Sequence, residues 1–421
     1  MKTMLKLLLV GLMFVWTFAG CSDDDNKTSP YASLTLNVSY KTLGVSKAFT
    51  NEPVVTLTNL TEQSSRTETA TEMGKLVLTD LLPGNYSIHV RTTLTPEEAK
   101  EQGFDVAGSI KVNLAGNIAS LALALNQDMK IQSLELKESI QSALILKEIY
   151  YAGCPSASGT AIYRNDQFYV IYNNSDAPVN LENIYIGHAE SFTEKPAPWE
   201  GEDVSNPQHV YLNSAWKIVK TGNSATLEPG KQIVIAAMAA NHKGDPNLNP
   251  NSPVDLSGAD YEAYASGFSN NPNVDYAAPN MEDVFVLTLP KHRLWLASFQ
   301  GTSTVIFEAT ATEFTRLLEN YVTAPESVWD IYDIMDEWDE PYKCLKVPNK
   351  MVVDAVELIP NSNSLDNKRF GAELDGGYAT CPSKEGKSVI RKQEETVDGR
   401  VVYKDTNNSK DDFEVNTTPL K

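Results

Sequence analysis

The stretch Leu144–Gly187 constrains the fold more than any other part of the chain. Leu144, Leu146 and Ile149 form a short apolar run closed by Gly153 and Pro155, the signature of a strand followed by a loop. Gln167–Asn173, QFYVIYN, is rich in aromatic and β-branched residues. Its alternating sets, Phe168, Val170 and Tyr172 against Tyr169 and Ile171, are both apolar enough for a sandwich interior. Asn173–Asp176 and Pro178 form a turn cluster, after which Leu181, Ile184 and Ile186 begin another strand. Strand, polar turn and strand is the grammar of an all-β chain.

Taken together, Lys147-Glu148-Ile149, then Val170-Ile171-Tyr172-Asn173, then Ser175, Val179 and Leu181 resemble the opening of a lamin tail domain, an immunoglobulin-like β-sandwich. Val170 stands where that family usually carries Glu. Ser388-Val389-Ile390-Arg391, followed by Asp405–Ser409 and Asp412-Phe413, resembles the close of lamin-tail-like bacterial domains. Leu227–Gly230 before a strand at Gln232–Met238, and Val352–Glu357, fit the middle. The resemblance covers residues 143–421 in pieces separated by long insertions. The overall layout also resembles an uncharacterised surface lipoprotein family of Bacteroides-like bacteria, known mainly as a domain of unknown function. That likeness implies no catalytic residues.

At the other terminus, Lys2 and Lys6 precede an apolar core, Leu7–Phe18, too short to span a bilayer as a mature helix. Residues 1–20 therefore read as a signal peptide. Phe18-Ala19-Gly20-Cys21 resembles a lipobox, which implies cleavage before Cys21 and lipidation of its thiol. Residues 21–30 form an acidic linker, and Ser22-Asp23-Asp24-Asp25-Asn26 resembles a surface-export signal of Bacteroidota lipoproteins. The expected location is the outer membrane, lipid-anchored and exposed at the cell surface. The chain has 35 Lys+Arg against 55 Asp+Glu, a formal charge of −20, or −22 once Lys2 and Lys6 are removed. Such acidity repels a phosphate backbone and disfavours nucleic acid as a partner.

Residues 31–127 read as a small sandwich. Leu34, Leu36 and Val38 alternate with polar residues, as do Val55 and Leu57. Leu76 and Leu78, the turn Leu82-Pro83-Gly84, and Tyr86, Ile88 and Val90 form a hairpin. That arrangement resembles transthyretin-like or carboxypeptidase-regulatory-like modules, which implies a stalk. A second hairpin is expected from Ile110, Val112 and Leu114 through a turn at Ala115–Asn117 to Leu121, Leu123 and Leu125. Residues 128–142 read as a connector holding a short helix or an edge strand.

Two insertions of the large domain are the expected contact surface, because long loops at a sandwich end are where binding sites are built. Phe192–Asn213 carries Trp199, His209 and Tyr211; Asn241–Asn280 carries Tyr261, Tyr264 and Tyr276 among amides and prolines. Aromatic rings stack on the apolar faces of sugars while amides bond hydroxyls. Pro325–Glu340 has Val328, Ile331, Ile334 and Met335 at helical spacing and reads as one short helix.

Catalytic signatures are sparse. The five histidines form neither His-x-x-x-His nor His-Glu-x-x-His, and no Gly-x-Ser-x-Gly occurs. Cys154, Cys344 and Cys381 lack zinc spacing. The echo of Cys154-Pro155-Ser156 in Cys381-Pro382-Ser383 suggests a Cys154–Cys381 disulfide. No cofactor is expected; Ca²⁺ at Asp245–Asp260 or Asp405–Asp412 is the weaker option, the latter reading more easily as a turn held by its own side chains. The expected protein is a non-catalytic surface lipoprotein binding a glycan or protein ligand, alongside an outer-membrane transporter as the family likeness implies. A metal-assisted or carboxylate hydrolase and a structural or adhesive envelope component are the alternatives.

Overall fold

A computed structural model describes residues 30–421 except 43–44, 63, 105–110, 126–128, 141, 191–194, 198, 204–206, 220–224, 266–273, 287–296, 324–342 and 398. The expected lipidation site Cys21 and the helix expected at Pro325–Glu340 lie outside the described residues. The fold is all-β: two sandwiches in succession.

The first sandwich is built from strands whose alternate residues point inward. Leu34, Leu36, Val38 and Tyr40 of Ala32–Thr42 enter a core shared with Leu76 and Leu78, with Tyr86, Ile88 and Val90, and with Leu121 and Leu123. The Lys75–Leu81 and Gly84–Leu94 strands flank the expected turn but do not pair as a hairpin: the first pairs with Ala32–Thr42, the second with Val54–Asn59 and Val112–Leu123. The second expected hairpin does not form either. Val112–Leu123 is one continuous strand pairing along Gly84–Leu94. Gly116 acts there as a packing notch: a Cβ on it would lie 2.9 Å from Leu136 Cδ2. The stretch read as a connector is itself a strand, Lys130–Ile140. It runs parallel to Ala32–Thr42 from Leu34↔Lys130 to Tyr40↔Leu136, then antiparallel to Val112–Leu123 from Ala115↔Lys137 to Val112↔Ile140. It therefore joins the two sheets of the first sandwich.

In the second sandwich a six-stranded sheet runs in the order Tyr261–Glu262, Gln232–Ala236, Phe168–Asn173, Leu144–Tyr150, Ser388–Arg391, Phe413–Asn416. Facing it is a seven-stranded sheet centred on Ile184–Ala189, His209–Lys217 and Thr304–Glu308. Tyr169, Ile171, Ile149 and Val389 meet Ile186, Trp216, Ile306 and Val356 between them. Phe168 and Val170 point the other way, onto Val254 and Leu256 of the long loop after Ala236. The double apolar pattern of QFYVIYN thus reflects a strand covered on both faces. Helix Ala311–Glu319, capped by Thr310 and Glu313, seals the outer side of the second sheet with Phe314 and Leu317.

The closing motif is a buried charge cluster. The Arg391 guanidinium donates to Asp354 Oδ1 at 2.7 Å, Asp405 Oδ1 at 3.2 Å and Asp412 Oδ2 at 3.5 Å, and to the carbonyls of Leu146 and Lys404. Asp412 also accepts from the Thr406 amide and hydroxyl and the Asn408 amide. The acidic turn is therefore held by its own backbone and by Arg391, as a side-chain-stapled turn should be.

The expected Cys154–Cys381 bridge is not formed. The two loops do lie together, since Lys384 and Gly386 donate to the carbonyls of Ala152 and Gly153. Each sulfur, however, is spent on its own acceptor: Cys154 Sγ on Asp166 Oδ2 at 3.4 Å and Cys381 Sγ on the Lys387 carbonyl at 3.2 Å. Burial pushes both thiols up to about 12, far from the thiolate that exchange needs.

The sandwiches meet end to end. Arg91 pairs with Asp411 at 2.6 Å, Lys111 with Glu394 at 2.9 Å, and Asn113 Nδ2 donates to the Asp405 carbonyl at 3.2 Å. The ring of His89 packs so tightly on Gly376 that a Cβ there would lie 2.0 Å from His89 Cε1.

Candidate functional site

Three of the six expected contact residues come together in one pocket. Strand His209–Lys217 pairs with Lys343–Pro348 in the register His209↔Pro348, Val210↔Val347, Tyr211↔Lys346. Val210, Leu212, Leu345 and Val347 join a hydrophobic core. The period of two then turns His209, Tyr211 and Lys346 to the opposite face. There Trp199, from the preceding insertion, stacks on Tyr211 with ring centroids 4.5 Å apart and planes 9° from parallel. Lys346 Nζ sits 5.9 Å from the Tyr211 centroid.

Around this aromatic wall lie two acids and two bases that the sequence did not single out: Glu190, Glu202, Lys368 and Arg369, with Phe370 and Pro207 closing the sides. The enclosed part of the pocket is small, about 50 Å³. Glu202 has a side chain only 5% exposed. It accepts from the Gln208 amide at 2.8 Å and contacts His209 Nδ1, and Lys346 Nζ stands 3.9 Å away. Burial alone would raise its pKa, but the Gln208 amide, His209 and Tyr211 outweigh that and hold Glu202 below the ordinary carboxylate value. Burial and the facing Glu202 carboxylate push the Tyr211 hydroxyl up. Arg369 lies 4.0 Å from Glu190, whose amide donates to the Tyr211 carbonyl at 2.7 Å.

The loop bearing Lys368–Phe370 is positioned from beneath. Buried Glu357 accepts from the Arg369 and Phe370 amides, each at 2.8 Å, and from Ser303. Burial raises Glu357 to about 7 despite these donors and nearby Lys368. Asp375 anchors the same loop by accepting from Glu357 N, Gly377 N and Ser409 N.

The other three expected residues are placed elsewhere. Tyr261 is core, its hydroxyl donating to the Val219 carbonyl at 2.9 Å. Tyr276 is half-buried, its amide donating to Glu262 at 3.0 Å. Tyr264 is half-buried. Pairing and burial, rather than display, explain why those tyrosines sit in a polar insertion. Among the described residues no group of three or more His, Cys, Asp or Glu is arranged to hold a metal.

Fold and pocket together define an all-β protein whose second sandwich carries an aromatic-walled pocket lined by paired charges. Residues 228–420 match the family described as "Protein of unknown function (DUF4876)". The whole chain is similar to a DUF4876 family protein from Bacteroides thetaiotaomicron VPI-5482 solved by crystallography: 27% identity over 93% of this chain and 96% of that one, with a TM-score of 0.57. Two proteins described as "putative adhesin", from Bacteroides ovatus ATCC 8483 and Bacteroides ovatus, match at 10% and 11% identity over 70% and 50% of this chain and 85% and 76% of theirs. Their TM-scores are both 0.20, and no correspondence is drawn from them. No curated protein matches the sequence.

Proposed function

We propose that the protein is a lipid-anchored surface protein of the outer membrane that binds a glycan, without catalysis, in the Trp199–Tyr211 pocket. One observation carries this: a stacked aromatic pair shares a pocket with carboxylate and cationic side chains that are already positioned. Rings offer an apolar face to a sugar, and carboxylate and guanidinium groups bond hydroxyls on its edge. The state of Glu202 supports binding over acid catalysis. A general acid needs its proton held to near-neutral pH, whereas the donors around Glu202 stabilise the anion. The anchor is supported by the lipobox-like Phe18-Ala19-Gly20-Cys21 behind a basic and apolar leader.

A thermal-shift screen of Ser22–Lys421 against sugars and divalent cations tests the binding proposal, since a ligand of the folded state raises the midpoint by mass action. A rise with one sugar class, lost in Trp199→Ala, is expected. A rise with Ca²⁺ or Zn²⁺ alone would turn the argument toward a metal-assisted hydrolase. The anchor is tested by metabolic labelling with a palmitate analogue, expected on the native chain and absent from Cys21→Ala.

A further inference from the structure

We infer that the free end of the first sandwich is a bilayer-contacting surface, which seats the stalk on the lipid interface. The inference rests on the lipid anchor proposed above but is read from different residues. One end of this sandwich is taken: Arg91, Lys111, Asn113 and His89 all face the second sandwich. The opposite end is where the chain enters at Tyr31, where Leu82 follows the strand Lys75–Leu81, and where Leu125 and Met129 flank the step from Val112–Leu123 to Lys130–Ile140. All four are exposed large hydrophobics.

The patch continues onto the outer sheet face. Thr35 has Val77 on one neighbouring strand and Ile131 on the other, and its hydroxyl donates to Met129 Sδ at 2.7 Å. Thr35 itself is only 8% exposed, covered by these apolar side chains, while Ile131 is 67% exposed. Farther along the same face the surface turns polar, with Asn37 between Lys75 and Ser133, and then the Lys41–Glu135 ion pair. On this face the apolar side chains are thus gathered at the terminus remote from the second sandwich.

Chain connectivity names the occupant. Only residues 22–29 separate Cys21 from this end. Eight residues reach at most ~29 Å whatever their conformation. A lipidated Cys21 therefore keeps the apolar end within a short tether of the acyl chains. Val45 and Met73 are also exposed, toward the other end, but singly; the contiguous exposed apolar cluster lies at the end that is tethered and fits the water–hydrocarbon boundary. Strands of 11 residues, Ala32–Thr42 and Lys130–Ile140, then hold the second sandwich roughly 36 Å away from the lipid.

The test uses the chain from Cys21 to Lys421 with Cys21→Ser, so that no lipid contributes, and phosphatidylcholine vesicles. We expect co-sedimentation at millimolar lipid. The combined variant Val77→Ser, Leu82→Ser, Leu125→Ser and Ile131→Ser should lower the partition coefficient at least tenfold at an unchanged melting midpoint. Should that variant fold poorly, Ile131→Cys carrying an environment-sensitive fluorophore replaces it, with a blue shift on vesicle addition expected. No sedimentation of the parent chain, equal sedimentation of parent and variant, or an unshifted label each overturns the inference. Concentration-dependent dimerisation abolished by the variant also overturns it, by showing a second copy on the patch. Absence of palmitate label on Cys21 would remove the anchor while leaving the vesicle result to stand or fall separately.

Discussion

Arg391→Met should destabilise the second sandwich by about 3–5 kcal/mol, because it removes the cation from a buried cluster and leaves the acids behind. The side chains of Arg391, Asp354, Asp405 and Asp412 are 2%, 5%, 3% and 1% exposed. Without the guanidinium, Asp354 keeps only the Leu146 and Ala355 amides, Asp412 keeps Thr406 and Asn408, and the carbonyls of Leu146 and Lys404 lose a donor. These residual bonds are why the loss stays within that range. Methionine fills much of the volume, so the effect reads out charge and hydrogen bonding rather than a cavity. At the size of this domain the loss corresponds to a melting shift of roughly 5–9 °C. The sign with pH is fixed by the same cluster. Burial already lifts Asp405 to about 7, with Arg391 opposing and Asp354 and Asp412 assisting. Removing Arg391 lifts the folded-state carboxyls further above their unfolded values. Stability of the variant is then retained while those groups hold protons and is lost as pH rises, so the penalty should be larger at pH 8 than at pH 5.5. Urea unfolding followed by tryptophan fluorescence isolates the relevant domain, since past the leader every tryptophan lies after residue 143. A loss under about 1 kcal/mol, or one independent of pH, would refute the assignment of Arg391 as the lock.

Other outcomes follow from single contacts. His188 is fully buried against the Tyr169 hydroxyl at 2.9 Å, and burial lowers its pKa to about 3. The unfolded chain therefore takes a proton that the folded chain refuses, and stability falls as pH drops from about 6.5 toward 3 by ~1.4 kcal/mol per unit. His188→Gln should make that acid limb shallower by this amount in denaturation curves; an unchanged slope contradicts the assignment. Gly376→Ala should push against His89 and open the junction between the sandwiches, read as faster proteolysis near residues 140–143, with His89→Ala restoring resistance; equal cleavage of all three chains counts against it. Intact mass of the unreduced chain lacking Cys21 should show three free thiols at Cys154, Cys344 and Cys381 after denaturing alkylation, whereas two fewer alkyl groups would mean that a bridge forms.

What the sequence made legible was local and periodic. Phe168–Asn173 could be assigned because each alternate set is apolar, and the turn at Leu82–Gly84 because apolar alternation resumes on both sides of it. The turn expected at Ala115–Asn117 failed because a glycine answers two needs, reversal and close packing, and here Leu134 and Leu136 claim the space. Helix Ala311–Glu319 went unread although its signal was present: Thr310 and Glu313 have capping-box spacing. The site was half legible. Trp199, His209 and Tyr211 stood out within one insertion, but Glu190 and Arg369 arrive from strands and loops far apart in sequence, and nothing local marks a carboxylate that will be buried. In the same way Arg391 and Asp412 share a motif, while Asp354, 37 residues away, joins them only through the fold.

The most direct test of the account is a calorimetric titration of Ser22–Lys421 with the sugar class found by thermal shift, repeated on Glu202→Gln and Trp199→Ala. Saturable one-site binding that weakens at least tenfold in each variant, at an unchanged melting midpoint for Glu202→Gln, is the predicted result. Binding that survives both substitutions, or no binding of any sugar by the native chain, would contradict the assignment of this pocket as a glycan site.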